Sequence, residues 1–172
     1  MGLTRALGPG PVMVISMNVA LKGAVRTLLT ALGFGAAMGL CFNAAWLLLD
    51  RALTGDTLIA TFYLTAAGTI SAGLALTLVA RLHRRPWTSR FAAAFVILAA
   101  GTGALTAFFI MTQTVTASHD LTEMPVRVAL LVMSLSTATA LYNFLTMAGL
   151  AVLPFALPLI VAFACLIAHD AR

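Results

Sequence analysis

Arg81, Arg84, Arg85 and Arg90 form the densest cluster of charge in this chain, with His83 and Trp87 among them. A guanidinium presents a fixed fork of donors that matches phosphate or carboxylate oxygens. The cluster therefore has the chemistry to hold anionic lipid headgroups or the acidic face of a partner protein, with Arg81, Arg84, Arg85, Arg90 and Trp87 as the candidate contacts. Its simpler role is to anchor a basic loop at one membrane face. A second polar set lies inside apolar sequence: Asn43, Gln113, Tyr142 and Asn143. Amides at membrane depth bond across helices and fix their register, at about 0.6–2 kcal/mol each, so these four are the candidate interhelical polar contacts. They are also where a quinone, a pigment or a lipid headgroup would touch the chain.

A third set, His119, Asp120 and Glu123 with Asp50 or Asp56, offers nitrogen and oxygen ligands suited to a divalent metal. The spacing matches no metal motif, so a solvated acidic loop is expected there and no metal is assigned. His83, His119 and His169 all lie in loops or at helix ends, which does not suit a haem held by two facing histidines. Cys41 and Cys165 sit in apolar runs outside any CxxC pattern, and each reads as a small packing residue. No Gly-rich phosphate loop or HExxH is present, and no acid, base and nucleophile converge. The chain is not expected to be an enzyme. Small disulfide oxidoreductases of the membrane would need paired cysteines, and small multidrug pumps a carboxylate within the membrane; both are missing.

The elements that must position these residues follow from where charge is absent. Thr27–Leu49, Thr57–Ala80, Phe91–Ser118 and Val128–Ala168, of 23, 24, 28 and 41 residues, contain no Asp, Glu, Lys, Arg or His. A helix needs about 20 apolar residues to cross a hydrocarbon core. The chain is 62% hydrophobic and 9% charged, far from the quarter charged that is usual for soluble domains. The fold class is an all-α integral membrane protein, a polytopic helical bundle. One transmembrane domain is expected over residues 21–172, with 1–20 as a flexible or interfacial arm. Pro9-Gly10-Pro11 interrupts the early apolar stretch, which argues against a cleaved signal peptide, and Met17 is an alternative start.

Spans are expected at about 24–49, 57–80, 91–115, 126–148 and 150–168. The last two divide the 41-residue run by a tight turn near Gly149, with Pro154 and Pro158 in the early turns of the second piece. Four spans ending in a long or kinked helix is the alternative. Basic residues concentrate before the first span and between the second and third, so the positive-inside rule makes the N-terminus and the second loop cytoplasmic. Five spans would then leave the C-terminus outside. The abundance of Ala and Arg points to a bacterial inner membrane, and the net charge of +5 belongs to orientation rather than to nucleic-acid binding.

Within the spans, Gly35 and Gly39, Thr69 and Gly73, and Ala99 and Gly103 place small residues one turn apart, the pattern that lets helix backbones approach closely. Thr57, Thr61, Thr65 and Thr69 share one helix face. They read either as hydroxyls bonded to their own helix or as the lining of a polar path. No ionisable residue lies in a span interior, which disfavours proton-coupled transport. The expectation is a non-catalytic integral subunit, or an assembly or stabilising factor, of a larger membrane complex, acting through helix packing and through lipid or cofactor contacts. Its partners would be membrane lipids and other integral subunits. The alternative is an uncoupled oligomeric channel or facilitator for a small neutral or lipidic molecule. A metal- or redox-handling enzyme using the outer loop is a weaker third.

Overall fold

The computed structural model describes residues 11–49, 54–118, 125–143 and 150–170. It is a helical bundle, as the sequence implies. The helices are α1 (Pro11–Leu48), α2 (Gly55–Ala80), α3 (Trp87–Ser118), α4 (Val126–Asn143) and α5 (Leu150–Asp170). Among the described residues, four helices are long and apolar enough to cross a membrane, over Leu21–Leu48, Thr57–Ala80, Trp87–Gln113 and Leu153–Asp170. α1 starts inside the stretch assigned to the N-terminal arm, with a proline at its first helical position, where a missing N–H costs nothing.

The helix ends are tied by local chemistry. Thr54 caps α2: its hydroxyl accepts from the Thr57 N–H, while the Thr57 hydroxyl accepts from the Thr54 N–H. The α2–α3 connection is a closed turn rather than a loose loop. Arg81 and Leu82 donate N–H bonds to the Leu78 and Val79 carbonyls, and Arg85 donates to Leu82. Ser89 and Arg90 both donate to the Pro86 carbonyl. This turn aims the start of α3 back along α2.

Two contacts fix how α5 runs. Arg26 of α1 pairs with Asp170 at the last residue of α5, at 2.6 Å. Further along, Phe34 of α1 meets Phe163 of α5, ring centroids 5.1 Å apart. Residue numbers rise on α1 as they fall on α5, so the two helices are antiparallel. A cleft lined by Gly23, Arg26 and Thr27 of α1, Ala80 of α2 and Asp170 of α5 gathers these ends at one place. We call this the basic end, because the arginine-bearing turn between α2 and α3 follows directly from Ala80.

The antiparallel course corrects the five-span expectation. α3 leaves the basic end and runs to the opposite end, and α5 begins at that opposite end. α4, between them, therefore makes no net crossing. The 41-residue run holds α4 and α5, and among the described residues the helices long and apolar enough to cross are four, α1, α2, α3 and α5. His169 and Asp170, at the end of α5, lie at the basic end beside Arg26 and Ala80. The expected turn at Gly149 lies outside the described residues. In a chain with Cys41 and Cys165 changed to Ala, cysteines at Ser89 and His169 should react with an impermeant maleimide from the same membrane face. A cysteine at Thr54 should react from the other face only. Opposite labelling of Ser89 and His169 would restore an odd number of crossings.

The core runs along the axis shared by α1, α2, α3 and α5. Phe34, Leu98, Val79 and Ile167 are its largest fully buried side chains. On α3, Arg90, Ala94, Leu98, Thr102 and Thr106 recur every four residues, and every one is buried. On α5, Ala156, Ile160, Ala164 and Ile167–Ala168 form the matching buried face. Pro154 and Pro158 lie within α5, where neighbouring chain can satisfy the carbonyls that a proline leaves free.

Candidate functional sites: the small-residue seam and the basic end

The closest helix pair is α1 with α2. A Cβ added to Gly35 would meet the Thr69 hydroxyl and the Thr65 carbonyl oxygen, and one on Gly39 would meet the Thr65 hydroxyl. Gly68, opposite, would bring a Cβ to 3.1 Å from the Gly35 Cα. The Gly35 and Gly39 packing face is therefore real, and its counterpart is Thr65, Gly68 and Thr69. Gly73 departs from expectation, because nothing lies within 4 Å of the position its Cβ would take. The helices have already diverged one turn beyond Thr69. Between α2 and α3 the tight contact is Gly101 over Ser71, with a Cβ on Gly101 only 2.9 Å from the Ser71 hydroxyl. Ala99 and Gly103, the expected pair on α3, are half-buried beside this contact.

The threonine ladder belongs to the seam. Thr61, Thr65 and Thr69 donate to the carbonyls of Thr57, Thr61 and Thr65 at 2.8, 2.8 and 2.9 Å. Thr61 also reaches the Asn43 amide oxygen at 3.2 Å, and the Asn43 Nδ2 donates to the Gly39 carbonyl at 2.9 Å. Asn43 is thus an interhelical contact between α1 and α2, one turn from Gly39. These hydroxyls face a neighbouring helix, and each bonds its own backbone.

Of the other polar candidates, Gln113 is half-buried near the far end of α3 and Tyr142 is exposed near the end of α4. The Asn143 side chain lies outside the described residues, as do His119, Asp120, Glu123, Asp50 and the Asp56 side chain. Among the described residues, no group of three or more His, Cys, Asp or Glu residues gathers to hold a metal. Cys41 and Cys165 are both half-buried free thiols.

At the basic end the five predicted contacts separate. Arg81, Arg84 and Arg85 are exposed on the turn. Trp87, 39% exposed, stacks on Phe91 at 5.3 Å, and Phe91 on Phe95 at 6.2 Å. This aromatic ladder suits the headgroup level of a bilayer. Arg90 is different: only 5% exposed, it continues the buried stripe of α3, and its Nε and Nη1 have no acceptor. Sequence reading grouped it with the surface arginines. The four-residue spacing to Ala94, Leu98, Thr102 and Thr106 is the signal that separates it from them.

A lipid-facing groove of about 550 Å³ opens beside this end between α1 and α5, with Leu29, Gly33, Phe163 and Leu166 along it and Lys22 and Arg26 at its mouth. Comparison of the chain with protein-family models, with curated proteins and with solved structures gave no significant match.

Proposed function

We propose that the protein is a non-catalytic integral subunit or assembly factor of a larger membrane complex, and that α4 is the helix that meets the partner. The observation that carries this is the exposure of α4. Among its described residues only Ala129, Val132 and Ser136, a narrow stripe toward α3, are even half-buried. Val126, Leu130, Leu131 and Leu135 are each at least 59% exposed. α1, α2, α3 and α5 each bury a continuous stripe against the others, whereas α4 buries none. A helix held along one edge keeps most of its surface open to pack against a second protein. Two hydroxyls on α4 fit the same role, since Ser134 and Thr137 bond the Leu131 and Met133 carbonyls of their own helix.

The membrane would be the bacterial inner membrane with the basic end cytoplasmic, as the positive-inside rule has it. A photo-crosslinking residue at Leu131 or Leu135 should give one discrete adduct in native membranes, its partner identified by mass spectrometry. The same residue at Val96, an exposed position on α3, should give none. No adduct from either α4 position, with the chain purifying as a monodisperse monomer, would overturn the proposal.

A further inference from the structure

We propose that Arg90 is the buried cation of a phosphate site at the basic end, and that its ligand is the headgroup phosphate of an anionic phospholipid. A guanidinium removed from water without a partner is strongly unfavourable, so a buried arginine calls for an anion. Among the described residues none supplies it: the Arg90 Nε and Nη1 meet no acceptor, and Asp170 already pairs with Arg26.

Every other feature around Arg90 also favours an anion. It stands in the first turn of α3, where the helix dipole is positive and a cation is misplaced unless a negative group shares the site. The Trp87 and Thr88 N–H groups, which precede those bonded to Pro86, are donors of the kind that bind phosphate. The Trp87–Phe91 stack sets the depth at the headgroup level, where the abundant anion is lipid phosphate. The planar fork of arginine donates to two phosphate oxygens at once, which a lysine cannot match. The site adds a ligand to the membrane-subunit reading without depending on α4. It is tested on the isolated full chain, so the two fail separately.

The experiment measures thermal unfolding of the purified chain in zwitterionic detergent with added phosphatidylglycerol, phosphatidylcholine or inorganic phosphate at matched ionic strength. Native mass spectrometry counts the bound lipids. Phosphatidylglycerol should raise the midpoint and remain bound, and phosphatidylcholine should do neither. Arg90→Gln should weaken phosphatidylglycerol binding by about tenfold or more, as loss of one charge-assisted pair implies. Arg90→Lys, which keeps the charge and protects against a folding failure of the first variant, should show an intermediate loss. An Arg84→Gln, Arg85→Gln double variant should keep the lipid preference. Equal selectivity in wild type and Arg90→Gln would overturn the site, and so would loss of selectivity in the double variant alone. Full reproduction by inorganic phosphate would overturn the lipid as ligand and assign a soluble anion. Release of a co-purifying acidic protein by Arg90→Gln, with no phosphate effect, would assign a carboxylate partner instead.

Discussion

Gly35→Ala is expected to destabilise the bundle, although alanine is the better helix former by about 1 kcal/mol. The added methyl would meet the Thr65 carbonyl oxygen, which is backbone and cannot rotate away, as well as the Thr69 hydroxyl. Relief requires α1 and α2 to move apart, which weakens the Gly68 contact and the Asn43–Thr61 bond with it. Overpacking of this kind costs about 1–3 kcal/mol, and Gly35→Val should cost more still. Gly39→Ala should be milder, because its neighbour is the Thr65 hydroxyl rather than backbone. Gly33→Ala and Gly73→Ala, both facing open space, should be neutral or slightly stabilising. Unfolding midpoints in mixed micelles of increasing sodium dodecyl sulfate would rank the four. A loss at Gly73 equal to that at Gly35 would mean that glycine content, not the seam, sets stability.

The same seam shows what the sequence made legible. Gly35, Gly39 and Thr69 were readable because one-turn spacing of small residues is a local pattern with a local cause. Gly73 satisfied that spacing but lies past the helix crossing, and a crossing point is a property of two helices together. Gly68 and Ser71 went unremarked, although the spacing of Ala67, Ser71 and Ala75 marks the same side of α2. The threonine ladder was readable in its plain form, since a threonine hydroxyl in a helix finds the carbonyl one turn back wherever the helix is placed.

Span count was legible only as far as charge could mark the boundaries. The turn region before Leu150 carries no charge, so the positive-inside rule has nothing to act on there. What gives the direction of α5 is a tertiary pair, Arg26 with Asp170, separated by most of the chain. The pair is exposed at Arg26 and contributes little stability of its own. It still fixes the direction of α5, and thereby makes α4 an appendage to the bundle. Arg90 was obscured for a related reason. Its neighbours in sequence are surface arginines, while its neighbours by helical register are core residues, and only the second set describes its surroundings.

Phe34→Ala should have the larger effect of any single truncation in the core. The Phe34 ring is fully buried. It covers Gly68 of α2, whose added Cβ would sit 3.5 Å from the Phe34 ring, and it packs edge-on against Phe163 of α5. One side chain thus joins three helices. Truncating a buried Phe costs about 3–5 kcal/mol, of which the aromatic pair supplies about 0.5–1.5 kcal/mol. The loss should fall unevenly. α1 and α2 keep their glycine seam, whereas α5 has no such seam with α1, so α5 should loosen first. Cys165, half-buried two residues from Phe163, reports this directly. In a Cys41→Ser background, Phe34→Ala should accelerate alkylation of Cys165 under conditions where the helical content is unchanged. Phe108→Ala, at an exposed position on α3, should leave the rate as it was. An unchanged Cys165 rate in Phe34→Ala would show that the Phe34–Phe163 contact is not what holds α5 to the bundle.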